Sequence, residues 1–181
     1  LWRLSTAHGS NGALGDTGVH IFDFTINAVG DIQQLCANLK TYKEKGDKIG
    51  EYILDANDGF TSMVKFSNGA IGTISNTRYA TGYANTLILE VFCEKGAVKV
   101  ELDAERDDKW STLHICEGKN IHEAKWEKII CKSTPTNFER FVNSIKSGKN
   151  DQPDFEQGAK VQKILDKCII SNDKKKWVDI N

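Results

Sequence analysis

The spacing of apolar and polar residues changes along this chain, and each change marks an element. From Gly12 to Gly30 apolar side chains fall on most sides of a helical projection: Ala13, Leu14, Val19, Ile21, Phe22, Phe24, Ile26, Ala28 and Val29. Asp16, His20, Asp23 and Asn27 form one polar stripe, at positions that share a face at 3.6 residues per turn. A helix with so narrow a polar stripe is expected to be buried nearly all round, with the stripe facing polar groups or a wet cleft. Gly30 reads as a left-handed glycine ending it. Before the helix, residues 1–4 read as a short strand-like run and residues 5–11 as a loop. After it, residues 32–42 read as a strand and residues 43–50 as a charged turn.

Between residues 51 and 132 the period shortens to two, the signature of strands with one buried face. Phe60, Ser62, Val64 and Phe66 alternate with Thr61, Met63 and Lys65. Asn68-Gly69 marks a hairpin, expected to place both central residues at positive φ, and residues 70–79 form its return strand. Residues 87–94 and 97–102 pair around Lys95-Gly96, and residues 111–116 and 126–131 form a third pair. Helical spacing then returns. Thr136-Asn137-Phe138-Glu139 reads as a capping box, followed by an apolar stripe of Phe138, Phe141, Val142 and Ile145 that ends at Gly148. Residues 153–171 form a last helix, its buried face expected from Phe155, Val161, Leu165, Cys168 and Ile169. Residues 177–180 close the chain as a short strand. This order predicts a single α+β domain over residues 1–181, an open, mainly antiparallel β-sheet with helices packed on one face.

Composition narrows the function. The 181 residues carry a net charge of -1, with 27% charged and 39% hydrophobic residues. That balance suits a globular domain and argues against a nucleic-acid or anionic-membrane surface. The run Lys174-Lys175-Lys176, flanked by Asp173 and Asp179, reads as a solvated turn. Cys36, Cys93, Cys116, Cys131 and Cys168 are far apart and form no Cys-x-x-Cys pair, so they read as small buried hydrophobes in a reducing compartment. No stretch is apolar enough to span a membrane, and a cytoplasmic location is expected.

Chemistry concentrates on the buried helix. Asp16 and His20 set an acid and an imidazole on one face, the components of proton transfer. A structural role for the pair is the competing reading, and Asp23 is expected to tie neighbouring backbone. His8, in the glycine-containing loop, could reach a ligand near the helix start. Arg78, Tyr79 and Tyr83 cluster at a strand end, where aromatics stack on a sugar or pack an interface. His114 and His122 have no partner at metal-ligand spacing, so no metal site is expected.

Trp2-Arg3, a loop, and then Gly12-Ala-Leu-Gly-Asp16-Thr-Gly-Val-His20-Ile-Phe-Asp23 resembles the signature helix of the glucose–fructose oxidoreductase, inositol dehydrogenase and MocA-like family. Phe66-Ser-Asn-Gly-Ala-Ile-Gly-Thr and Glu94-Lys-Gly-Ala resemble its hairpins, and the last two helices resemble its closing helices. The likeness covers essentially the whole chain but only the C-terminal half of a typical member. It implies an NAD- or NADP-dependent oxidoreductase acting on a sugar, inositol or related polyol, with Asp16 and His20 catalytic. Trp2, Arg3, His8 and Tyr79 are the candidate substrate contacts. It further implies a homo-oligomer, dimer or tetramer, formed through the open sheet face. The family's catalytic Lys, in a Glu-Lys-Pro motif, and its dinucleotide fingerprint belong to an N-terminal Rossmann domain. Neither motif occurs here, so this chain is expected to be a piece of a longer protein, inactive alone. The alternative is a non-catalytic sugar-sensing, regulatory or oligomerisation domain of the same fold.

Overall fold

The computed structural model describes residues 1–42, 46–103, 111–132 and 134–180. Part of the charged turn expected at residues 43–50 lies outside them. The fold is α+β, and every strand pair among the described residues is antiparallel. The chain divides into two compact units, residues 1–79 with 152–181, and residues 80–151.

In the first unit the alternation seen in sequence builds the central strand β4 (Gly59–Phe66). Phe60, Ser62, Val64 and Phe66 point inward while Thr61, Met63 and Lys65 face out. β4 lies between β1 (Ile32–Lys40) and β5 (Ile71–Thr77), and β10 (Val178–Asp179) adds an edge beside β1. A two-residue ribbon, β2 (Lys48–Ile49) with β3 (Tyr52–Ile53), precedes β4. Beyond β10, the Ala37 amide donates to Ser171 Oγ at 2.9 Å and the Leu39 amide to Asn172 Oδ1 at 3.0 Å. The last turns of α4 (Phe155–Lys174) thus satisfy the edge donors of β1 where the strand partner stops.

Two helices cover the inner face. α1 (Val19–Val29) contributes Phe22, stacked on Phe60 with centroids 5.6 Å apart, and Ile26. α4 contributes Val161, Ile164, Leu165 and Cys168. Burial pushes the Cys168 thiol up to about 12, which makes it a packing group rather than a nucleophile. Thr61, Met63, Ile71, Thr73 and Ser75 remain exposed on the opposite face.

The second unit holds β6 (Thr86–Cys93), β7 (Gly96–Asp103), β8 (Thr112–Glu117) and β9 (Glu127–Ile129) in that order. The four-residue α2 (Asn120–Glu123), which carries His122, joins β8 to β9. α3 (Asn137–Ser147) starts with the expected capping box on Thr136 and Glu139 and ends at Gly148.

Several local expectations are corrected. Residues 2–4 form a 3-10 turn, not a strand, because Leu4 N bonds back to Leu1 O at 2.8 Å and among the described residues no strand pairs with them. Gly30 sits at φ 123° and ψ -179°, open to glycine but not left-handed helical. In the β4–β5 hairpin only Gly69 has positive φ, since Ser67-Asn68-Gly69 makes a three-residue loop. The helix around Asp16 is not buried all round, for His20, Asn27 and Ala28 are exposed. Phe155 is 97% exposed, because it sits in the first turn of α4, before the helix reaches β1. The α3 stripe is exposed as well, and so are Cys93 and Cys131. Among the described residues no helix is long and apolar enough to cross a membrane, and no cluster of metal-ligating side chains occurs.

Candidate functional site

The first 14 residues are held in place by one loop, residues 54–58. Ala56 N donates to Leu4 O at 3.1 Å, and Ala13 N donates to Asn57 O at 2.8 Å. The Asn57 side chain accepts from Leu14 N at 3.0 Å and donates to Asn11 O at 2.6 Å. The Ser10 hydroxyl donates to Arg3 O at 2.6 Å and accepts from Gly12 N at 2.9 Å, folding the segment back on itself. Together these bonds place Trp2 and Arg3 beside the start of the helix.

Asp55 completes the clamp. Its carboxylate accepts from Thr6 N at 2.8 Å and from Thr6 Oγ1 at 2.6 Å, and these two bonds hold its pKa below the ordinary 3.8. A lowered folded-state pKa stabilises the fold above the unfolded value, and that contribution disappears as pH falls through the folded one. Asp55→Asn is therefore expected to lower the urea midpoint of unfolding by a constant amount between about pH 8 and pH 5. The gap closes as pH falls below the ordinary carboxylate value. Unfolding curves at stepped pH check this, and a gap that persists unchanged into acid would show that the Asp55 charge contributes nothing.

The helix begins with a π turn, Leu14–Gly18, before α1 takes over at Val19. Such widened turns are uncommon and gather at functional sites. Here the turn shifts Asp16 relative to the later stripe. Asp16 and His20 both line a cleft of about 420 Å³ together with Trp2, Arg3 and Gln162, a size within the range of small-molecule sites. Asp23 and Asn27 do not line it. Asp23 accepts from Gln157 Nε2 at 2.7 Å and from Asn27 Nδ2 at 3.0 Å, which joins α1 to α4. Asp23 is thus structural, but its carboxylate ties two side chains rather than the neighbouring backbone expected of it.

Asp16 pairs with two guanidiniums rather than with His20, and of the two only Arg3 lines the cleft. Arg3 Nε lies 3.1 Å from its Oδ1 and Arg78 Nη2 lies 2.9 Å from its Oδ2. Arg78 follows β5 and is fixed through its own amide, which donates to Asp58 O at 2.9 Å. His20 is exposed and has no hydrogen-bond partner among the described residues. The Arg3 guanidinium also lies 5.2 Å from the centre of the Trp2 ring.

Two other candidates lie outside the cleft. The His8 ring packs on Tyr52 at 4.7 Å, with Nδ1 3.1 Å from Ser5 Oγ, and Tyr79 packs edge-on against Tyr42. Conversely, the structure adds Gln162 from α4, Arg78 as the second partner of Asp16, and Asn57 as the residue that sets the turn. Gln162 leaves a faint trace in sequence, a polar side chain just after the buried Val161. Asn57 leaves none.

The cleft and the sheet-and-helix unit around it define an α+β domain that places an imidazole and an arginine-held carboxylate on one cleft. Residues 1–99 match the model of the GFO/IDH/MocA C-terminal domain, and the chain belongs to that family. It is 24% identical to levoglucosan dehydrogenase of Pseudarthrobacter phenanthrenivorans, over 99% of this chain and 54% of that protein. Among solved structures, levoglucosan dehydrogenase in complex with NADH and levoglucosan superposes with a TM-score of 0.83 at 24% identity, over 99% of this chain and 53% of that one. An oxidoreductase domain protein from Kribbella flavida gives the same TM-score and identity over 100% and 54%. Aldose-aldose oxidoreductase from Caulobacter crescentus, complexed with glycerol, gives 0.78 at 16% identity over 99% and 50%. At these identities the structural likeness shows the fold. The chain spans about half the length of the relatives it matches.

Proposed function

We propose that residues 1–181 are the C-terminal, substrate-binding and oligomerisation domain of an NAD- or NADP-dependent oxidoreductase acting on a sugar, inositol or related polyol. The observation that carries this reading is the convergence of Asp16, His20, Trp2 and Arg3 on one cleft in a member of this family. The relatives named above include a dehydrogenase solved with NADH and a sugar, which supports the same class. The dinucleotide is assigned to an N-terminal Rossmann half, since this sequence holds no Gly-x-Gly-x-x-Gly. The residues of the cleft fit a nicotinamide reaction in the one respect they can, an accessible imidazole without a competing partner. A bound nicotinamide would supply the hydride acceptor for oxidation of a substrate carbinol.

His20 takes the hydroxyl proton at a ring nitrogen as the substrate carbonyl forms, the part of a positioned general base. Asp16 acts through the arginines it holds and keeps one acceptor position per oxygen for a substrate hydroxyl. Trp2 offers a ring against which an apolar sugar face can stack. The exposed sheet face with Thr61, Met63 and Ile71 is the surface assigned to oligomer contacts, and the cytoplasm the assigned location.

The test is a dehydrogenase screen of the full-length protein against sugars and polyols with both NAD and NADP. Reduction of either cofactor by at least one of these substrates supports the reading. Sugar binding without any turnover would instead favour a sensor built on the same fold.

A further inference from the structure

The charge balance of the cleft points to a narrower substrate class. Asp16 is the sole carboxylate lining it among the described residues. An arginine paired with one carboxylate is neutral, and such a pair serves a neutral diol well. Arg78 changes this. By occupying Oδ2 of Asp16 it adds a second guanidinium to a single carboxylate, so the group of three carries one positive charge that nothing in the cleft offsets. Asp166 stands near in sequence to Gln162, but it accepts from Gln162 Nε2 at 2.9 Å and does not line the cleft.

The two arginines are not equivalent. Arg78 is 27% exposed and does not line the cleft, whereas Arg3 is 58% exposed and does. Arg3 pairs with Asp16 through Nε at 3.1 Å, and its terminal nitrogens make no hydrogen bond among the described residues. The Trp2 ring beside it and the Ser10 bond to its carbonyl hold the residue in position. A planar fork with free terminal donors matches the two oxygens of a carboxylate or phosphate.

Resting on the reading of this cleft as a dehydrogenase substrate site, we propose that Arg3 binds an oxyanion of the substrate. The preferred substrate is then a polyol that carries a carboxylate or a phosphate, not a neutral sugar. Arg78 is a positioning residue, holding Asp16 so that Asp16 holds Arg3.

The test uses the full-length protein with gluconate, glucuronate, glucose 6-phosphate, glucose and myo-inositol, each with NAD and NADP, at low and high sodium chloride. Anionic compounds are expected to show the highest kcat/KM, with KM rising as salt screens the contact. Arg3→Gln is expected to lower the ratio of kcat/KM, anionic over neutral, on the order of 10- to 100-fold, and Arg3→Lys to restore part of it. A best substrate among the first two compounds assigns a carboxylate, and glucose 6-phosphate assigns a phosphate. Turnover of glucose or inositol that equals or exceeds that of the acids, with KM indifferent to salt, overturns the oxyanion site and leaves the oxidoreductase reading intact. Calorimetry separates the opposite case. Gluconate or glucose 6-phosphate that binds, and fails to bind Arg3→Gln of unchanged thermal stability, supports the site even if no compound is turned over. Absence of both binding and turnover overturns both readings.

Discussion

His20→Ala in the full-length protein is expected to lower kcat by about 100- to 10,000-fold, the usual contribution of a positioned general base. The same variant is expected to leave stability almost unchanged. His20 is exposed and has no hydrogen-bond partner among the described residues, so its removal creates no cavity and strands no polar group. Exposed substitutions of that kind usually stay within about 0.5 kcal/mol. The combination separates chemistry from architecture, because a large loss of kcat with an unmoved melting temperature has no structural explanation. KM should change little, since a proton acceptor acts mainly as the transition state forms. Steady-state kinetics and thermal unfolding of the same preparation check both halves of the expectation. A variant with wild-type kcat would remove His20 from the reaction and with it the reading of this cleft as a catalytic one.

How much of this could be read from the sequence depends on how local each cause is. The inward and outward residues of β4 follow from period two alone, and the α3 cap follows from Thr136 and Glu139 three residues apart. Asp16 and His20 stand out because polar residues are rare in their stretch. The period used to align them assumes 3.6 residues per turn, and the π turn at Leu14–Gly18 breaks that assumption. Asp23 and Asn27 share a face of α1 with His20 but lie about one and two turns further along it, and Asp23 there meets Gln157 of α4 instead of the cleft. The partners of Asp16 are less legible. Arg3 is 13 residues away and is marked only by the family resemblance, while Arg78 is 62 residues away and reaches Asp16 only because β5 ends beside the turn. Asn57 is the extreme case. Its role depends on a loop bonded to a segment more than 40 residues distant, and no local pattern encodes that.

The largest stability effect is expected at Gly12, where the same loop meets the start of the helix. Gly12 has φ +62°, and a Cβ built there would lie 2.3 Å from Asn57 O and 2.6 Å from Asn57 N. Both are backbone atoms, so no rotamer change relieves the overlap. Retreat of residues 54–58 would break the bonds from Asn57 to Asn11, Ala13 and Leu14. Gly9 provides the internal control, for it has φ +79° with nothing within 4 Å of its Cβ position. Gly9→Ala is thus expected to cost only the left-handed backbone penalty, about 1 kcal/mol. Gly12→Ala adds the steric conflict and is expected to cost about 3 kcal/mol or more, a fall in melting temperature of roughly 6 to 12 °C for a chain of this size. Urea and thermal unfolding of the two variants side by side measure the difference. Equal losses would mean that backbone conformation alone makes Gly12 a glycine. A loss confined to Gly12→Ala, joined by reduced affinity for whatever the cleft binds, ties the Asn57 loop to the placement of Arg3 and Asp16.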